Sequence, residues 1–600
     1  MTDRTECGPS NKKEWGPFVS ERKEMSTETR SLLAAVLALL VIGAWSLIYK
    51  PPPPQTSPAK PLAATNPVPT ASAASPSPAA RKTAAPAAPV TLHAASDEHS
   101  IVVEADLYRV EISNRGGVVR SWQLKQFTDD NKPPRTLDLV HPEAAQAGAG
   151  WPLSLALDDP QQEAAANNAL FEITSSNKPP DAGAVLHAPV EITLMWSDGH
   201  LEVTKHLKFS SSYIVDVQTS VAFDGAPLRA SLTWAGGFGD ATAYRAALQT
   251  QVFTSAAGKL TTLAAKNLGK RGEPTARVPI EGAFDFTGIE DQFFAAAFMP
   301  SFTARGDLAG AEFAVEGWTY QHQTTVDGKT ETEVVPQMAA GLASPGPLSL
   351  RLYVGPKSID GLKAVRPPLN SLVQFGWWGF IAEPLFYTLQ WMHQYIRNYG
   401  WAIVLLTIAI NMVMFPLKVK SMRAMQKMQK VAPEVKAIQE RYKKYSMRDP
   451  RKAEMNKEVM AVYSREGINP LGSCWPTVIQ MPIWFGLYRM LANTIELRHA
   501  PWLGWIHDLS TRDPYYILPV IMAVSMFFMQ KMTPTPGMDP AQAKMMGLTP
   551  LIFGGMFALS PSGLTLYILT SNMVGIGQQW YLYRTTPPPP KPSRGPGKKK

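Results

Sequence analysis

Gly400-Trp-Ala-Ile-Val-Leu-Leu-Thr-Ile-Ala-Ile-Asn-Met-Val-Met-Phe-Pro-Leu417 is uncharged, and Lys418, Lys420, Arg423, Lys427 and Lys430 follow it directly. An uncharged apolar run approaching ~20 residues can cross ~30 Å of hydrocarbon. A basic segment at its edge marks the cytoplasmic side. The charge map extends this reading. Residues 418–466 carry 14 basic and 6 acidic residues, and residues 584–600 carry six basic and none acidic. Residues 31–417 carry 27 basic and 33 acidic. The formal charge of +9 is therefore concentrated beside apolar spans. A nucleic-acid module would interleave basic and aromatic residues on one surface. Here the charges punctuate hydrophobic stretches.

Outward from that run, an N-terminal segment, 1–30, holds Met25 as a candidate start and precedes a first span at 31–49. That run exceeds a typical signal h-region and reads as an uncleaved anchor. A Pro/Ala-rich linker follows at 50–98. An interfacial amphipathic helix is expected at 367–398, interrupted at Glu383-Pro384, and a second span at 399–417. A cytoplasmic helical hairpin is expected at 418–468, with spans at 471–495, 515–531, 546–560 and 563–583. Loops at 496–514 and 532–545 and a basic tail at 584–600 complete the plan. With both termini cytoplasmic, every loop agrees with the Lys/Arg rule. The hairpin's seam is expected at Met425, Met428, Ala432, Val435 and Tyr442 against Met455, Val459 and Val462, around a turn at Ser446–Pro450.

Residues 99–366 read as a periplasmic domain. Val215, Val217, Val221 and Phe223 alternate with Asp216, Gln218 and Ser220, the period of a half-buried strand. Ile101–Ile112, Leu201–Phe209, Ala311–Val315 and Leu350–Val354 are further strand candidates, and Ser197–His200 and Asp327-Gly328 are turn signals. The fold class is a polytopic α-helical membrane protein with six transmembrane helices plus a large antiparallel β-sandwich.

Cys7 and Cys474 lie far apart and form no framework. Neither HExxH, GxSxG nor a phosphate loop occurs. His507 reads as a structural hydrogen-bonder, and no enzyme activity or cofactor is expected. Polar residues inside spans are costly unless they face a partner or water. Thr407, Asn411, Gln480, Arg489, Thr570, Asn572, Gln578 and Gln579 are such residues. Several on different spans point to a shared hydrophilic groove. Twenty of the 25 methionines follow residue 390, which suits either adaptable binding surfaces or membrane helices in general.

Asn469–Pro476, Ile479–Ile483, Glu496–Pro501, Trp505–Leu509, Asp513–Pro519, Met526–Met532 and Pro561–Tyr567 together resemble the YidC insertases of Gram-negative bacteria. The likeness is dense over about 370–583 and thinner in the sheet region, where Val102–Phe127 carries it. It implies a five-helix core with a groove open to cytosol and lipid. Through that groove nascent inner-membrane proteins would enter the bilayer, with or without the Sec translocon (SecYEG, SecDF). Thr407, Asn411, Gln480, Tyr567 and Asn572 would line it. Lys418, Lys420, Arg423, Lys427, Lys430 and Lys598, Lys599 and Lys600 would meet the ribosome or the signal recognition particle receptor. Membrane lipids are further partners, and a functional monomer is expected. The family usually places an arginine where this chain has Asn411, so a groove without a fixed positive charge is expected, and Arg489 is expected to snorkel outward. Asn411→Leu should then impair insertion and Asn411→Arg should not. The rival readings are a solute transporter or channel, for which no internal repeat is found, and an anchored periplasmic sugar- or peptidoglycan-binding protein, for which one span would suffice.

Overall fold

Period-two burial organises the first half of the chain. Residues 214–223 bury Val215, Val217, Thr219 and Val221 and expose Asp216, Gln218 and Ser220. The computed structural model describes residues 92–585 except 177, 243–249, 265–283, 302–317, 327–328, 345, 446–448, 469–474 and 533–539. The first expected span, most of the linker, Ala311–Val315, Asp327-Gly328, Cys474 and Lys598–Lys600 lie outside the described residues.

The largest sheet runs, edge to edge, through Lys259–Ala264, Gln251–Ala256, Phe286–Glu290, Phe294–Pro300, Leu348–Pro356, Ile214–Phe223, Leu201–Phe209, Val190–Ser197 and Glu172–Ser175. A five-stranded sheet and a three-stranded sheet pack with it around one core that includes Trp122, Phe209, Trp234 and Phe298. Among the described residues the strand pairings are antiparallel except one. Ser100–Glu104 runs parallel to Val185–His187, which corrects the all-antiparallel expectation. Ile101–Ile112 is two strands rather than one. Ser100–Glu104 and Tyr108–Ser113 form a hairpin about the short turn 105–107. Phe223 was expected inside but ends its strand 37% exposed, its ring facing His200.

Lys205 shows how the sheets are tied together. It sits on the inward face of Leu201–Phe209 and is fully buried. Its Nζ donates to the carbonyls of Gly116 (2.8 Å), Gly117 (3.0 Å) and Leu153 (2.7 Å). A buried ammonium is tolerated only when its donors are satisfied. Gly116 and Gly117 both take positive φ, 74° and 57°, which aims those carbonyls at the lysine.

Helices take over after residue 358. They are α1 (Ile359–Ala364), α2 (Gly379–Ile396), α3 (Tyr399–Arg441), α4 (Arg451–Arg465), α5 (Trp475–Asn493), α6 (Ile517–Met532), α7 (Pro540–Phe557) and α8 (Ser562–Thr585). The interfacial helix starts later than expected, because residues 370–378 form two short 3-10 turns. Pro384 does not interrupt it. The helix continues through it to Ile396, although Pro384 gives up the bond its N–H would make to the Phe380 carbonyl. Phe386 and Leu389 are buried, while Trp391 and Tyr395 face outward at 56% and 73% exposure.

The boundary expected at 417/418 falls inside one helix. α3 runs unbroken for 43 residues through Pro416 and Pro433, from the apolar run into the hairpin. Asn398 caps it by accepting from the Trp401 N–H. Gly400 leaves room for Trp502, whose ring occupies the space a Cβ would need. The hairpin seam consists of Val431, Val435, Ile438, Val462 and Ile468, with Met428, Tyr442, Met455 and Val459 at its margin. Val431 and Ile438 belong to it, whereas the expected Met425 and Ala432 do not. Among the described residues, only α3 is long and apolar enough to cross a membrane by length and composition, and Ile517–Met532 and Met545–Phe557 are shorter apolar helices.

Candidate functional site: a polar cavity among four helices

α3, α5, α6 and α8 enclose a cavity of about 500 Å³. α8 packs against α6 and α3, so its polar residues are directed at both. Gln480 Nε2 donates to Tyr567 OH (3.3 Å), linking α5 to α8. Asn572 Nδ2 donates to Ser525 Oγ (3.0 Å), linking α8 to α6. Gln578 Nε2 donates to the Asn411 carbonyl (3.1 Å), linking α8 to α3. Each bond satisfies an amide that would be costly to leave unpaired away from water.

The expected groove residues divide. Gln480, Tyr567 and Asn572 line the cavity. Thr407 does not, because its hydroxyl donates to the Ile403 carbonyl one turn back. Asn411 is buried behind the wall, donating to the Thr407 carbonyl (2.8 Å) and Ser571 Oγ (3.3 Å). In front of it lies Lys418. Two turns further along α3, its Nζ returns to donate to Asn411 Oδ1 (2.6 Å) and Gln578 Oε1 (3.4 Å). Two expectations are therefore corrected. The cavity does contain a positive charge, and Lys418 is a cavity residue rather than an outward contact. Continuity of α3 past Pro416 is the cause, since it keeps residues 411 and 418 on one face. No carboxylate pairs with Lys418 among the described residues. Lys420, Arg423, Lys427 and Lys430 are exposed on the opposite face, and Arg489 is exposed on α5.

Sequence reasoning missed the apolar wall. Met422, Met425, Met481 and Met529 line the cavity with Trp484 and Ile568. The excess of methionine was the signal, but composition does not say which methionines converge.

The end of the cavity beyond Tyr567 is closed. Ser562 N–H donates to Thr511 O (2.6 Å) and Gly563 N–H to Leu509 O (2.9 Å). Asp513 gathers Trp505 Nε1 (3.0 Å) and the backbone N–H groups of Tyr515 and Leu518 (3.0 and 2.6 Å). The other end reaches Met422 and Met425, at the root of the hairpin.

The fold and the site define a class by architecture: a helical bundle with apolar outer surfaces and an internal cavity that gathers polar side chains, joined to a large sheet domain. Comparison with known proteins gives the particular family. Residues 391–589 match the family described as 60Kd inner membrane protein, and residues 100–388 match the YidC periplasmic domain. The membrane protein insertase YidC of Cupriavidus necator is 34% identical over 84% of this chain and 86% of its own length. That of Ralstonia nicotianae is 33% identical over 84% and 87%. A YidC insertase crystal structure with its first transmembrane domain resolved aligns over 83% of this chain and 96% of that one, at 14% identity and a TM-score of 0.33. The chain belongs to the YidC family of membrane protein insertases, inner-membrane proteins with a periplasmic domain and no enzymatic step.

Proposed function

We propose that this chain moves hydrophobic segments of nascent inner-membrane proteins into the bilayer by holding their polar flanks in the four-helix cavity, alone or beside the Sec translocon. The supporting observation is the contrast between inside and outside. Beside its apolar wall the cavity holds Lys418, Gln480, Ser571, Asn572 and Gln578, whereas Val413, Val520 and Leu551 are at least 60% exposed on the outer helix surfaces. Water would penalise that outer surface and lipid would not. Moving an unsatisfied polar group through hydrocarbon costs several kcal/mol. A pre-formed polar cavity lowers that cost with no covalent step.

The topology follows from the same reading. Six spans at 31–49, 399–417, 471–495, 515–531, 546–560 and 563–583 place the sheet domain outside and both termini inside, and 367–398 lies in the outer interface. Lys418 gives the cavity its charge in place of an arginine at position 411. Asn411 and Gln578 position that ammonium, and the exposed Lys420, Arg423, Lys427 and Lys430 suit an anionic cytosolic partner such as ribosomal RNA or the signal recognition particle receptor. The apolar wall of methionines adapts to clients of different shape.

The test is depletion of the chain in cells, followed by protease accessibility of a small two-span client. Wild type restores insertion, and neither Asn411→Leu nor Lys418→Leu does, because the first removes the acceptor that holds the Lys418 ammonium and the second removes the ammonium itself. Full restoration by Lys418→Leu contradicts the assignment of Lys418, and unimpaired insertion in depleted cells contradicts the function itself.

A further inference from the structure

A second cavity, of about 420 Å³, lies where the sheet domain meets α1 and α2. Its polar wall comprises Thr262, Lys363, Asn370, Ser371, Gln374 and Glu383. Lys363 Nζ donates to Glu383 Oε1 (2.6 Å) and Tyr387 OH (2.7 Å). An ammonium has three donors, so one remains, and the carboxylate keeps a whole oxygen free. Gln374 Nε2 is buried without a hydrogen-bond partner, and Asn370 and Ser371 line the cavity beside it. Orphan buried donors are rare and call for an explanation.

The rim of this cavity is aromatic. Gly376 and Gly379 line it, and Trp377 and Phe380, which follow them directly in the chain, are 85% and 69% exposed. Exposed Trp and Phe beside a polar cleft are the pattern of a membrane interface, where rings sit at headgroup level.

We infer that this cavity binds the headgroup of a zwitterionic phospholipid bearing a primary amine. Its phosphate is taken by Lys363, Ser371 and the Gln374 amide, and its ammonium by the free oxygen of Glu383. The Lys363–Glu383 pair is part-exposed, and such pairs are weakly held, so it opens without great cost. Charge-assisted bonds to phosphate and ammonium replace it. An anionic phosphatidylglycerol offers Glu383 only neutral hydroxyl donors, without the charge assistance that an ammonium brings. A phosphatidylcholine headgroup has no N–H to donate and is bulkier. The acyl chains leave over Trp377 and Phe380. The inference rests on the reading that α2 lies in the outer interface, and it extends that reading to a specific lipid.

Native mass spectrometry of the full-length chain, washed in detergent and then titrated with phosphatidylethanolamine, phosphatidylglycerol or phosphatidylcholine, provides the test. The expected result is one retained phosphatidylethanolamine, favoured about tenfold over the other two. Glu383→Gln should abolish the preference, and Gln374→Leu should weaken retention of that lipid. Thermal unfolding of both variants at the wild-type temperature shows that the fold is kept. If Glu383→Gln unfolds, Glu383→Asp, which keeps the charge and withdraws the carboxylate from the cavity, serves in its place. Soluble glycerophosphoethanolamine and inorganic phosphate are run in parallel. Binding of either as tightly as the lipid overturns the lipid assignment. Equal retention of the three lipids, or a preference that survives Glu383→Gln, overturns the site. Client insertion, measured on the same preparations, reports separately on the insertase reading.

Discussion

Lys205 and Lys418 are two enclosed lysines with different consequences. Lys205 is sealed among three carbonyls, and burial pushes its ammonium down to about 7. The sign of the pH effect follows. Between pH 7 and the unfolded value near 10.5, the unfolded chain binds the extra proton, so stability rises with pH across that window. Unfolding of the detergent-solubilised protein should show this rise in wild type and lose it in Lys205→Met. That variant also orphans three carbonyls and should cost about 3 kcal/mol at pH 7, read as a drop in unfolding temperature. Lys418, by contrast, opens onto a cavity with no carboxylate partner. Asn411 was legible in the sequence because an amide in an apolar run stands out. Lys418 was not, because a lysine that begins a basic stretch looks like the first of a solvated face. Only the hydrogen bond back across seven residues separates it from Lys420 and Arg423.

Elements were legible wherever one period persisted. The alternation in Ile214–Phe223 and Leu201–Phe209 became strands with little change of boundary. Ile101–Ile112 was misread because Ala105-Asp106-Leu107 turns the chain without glycine or proline. α3 was divided at 417/418 because the charge changes there, yet the helix continues through Pro416 and Pro433, since a change from apolar to basic marks a change of environment and not of backbone. Two outcomes test the element-scale account. Gly400→Ala pushes a methyl group into the Trp502 ring and should destabilise the protein by about 1–3 kcal/mol, measured by thermal unfolding in detergent. Replacing Lys420, Arg423, Lys427 and Lys430 with Gln should weaken ribosome co-sedimentation, most visibly at low salt, where exposed charges are least screened. Unchanged sedimentation at low salt would remove that face from the docking surface.

For the molecule as a whole, the sheet domain and the helices share a built junction. Arg498, in the loop before α6, donates to Asp240 Oδ2 (2.6 Å) and the Thr128 carbonyl (2.6 Å), and the Arg498–Asp240 pair is almost fully buried. His499 meets Asp130 (2.8 Å) and Thr128 Oγ1 (3.1 Å), and Gln292 donates to the Ala492 carbonyl (2.6 Å). Truncating one partner of a buried pair typically costs about 3–5 kcal/mol. Arg498→Met should therefore speed hydrogen exchange around residues 128–138 and 495–500 while leaving the hairpin seam unchanged. This junction was invisible in the sequence, since it joins residues 258 positions apart.

The central claim is that clients pass through the cavity and not over the outer helix surfaces. Site-specific photocrosslinking to an arrested two-span client decides it, with the probe at Ser571 or Met481 inside and at Val413 outside. The account predicts strong adducts from Ser571 and Met481, with only lipid adducts from Val413. Client adducts from Val413 equal to those from Ser571 would contradict it.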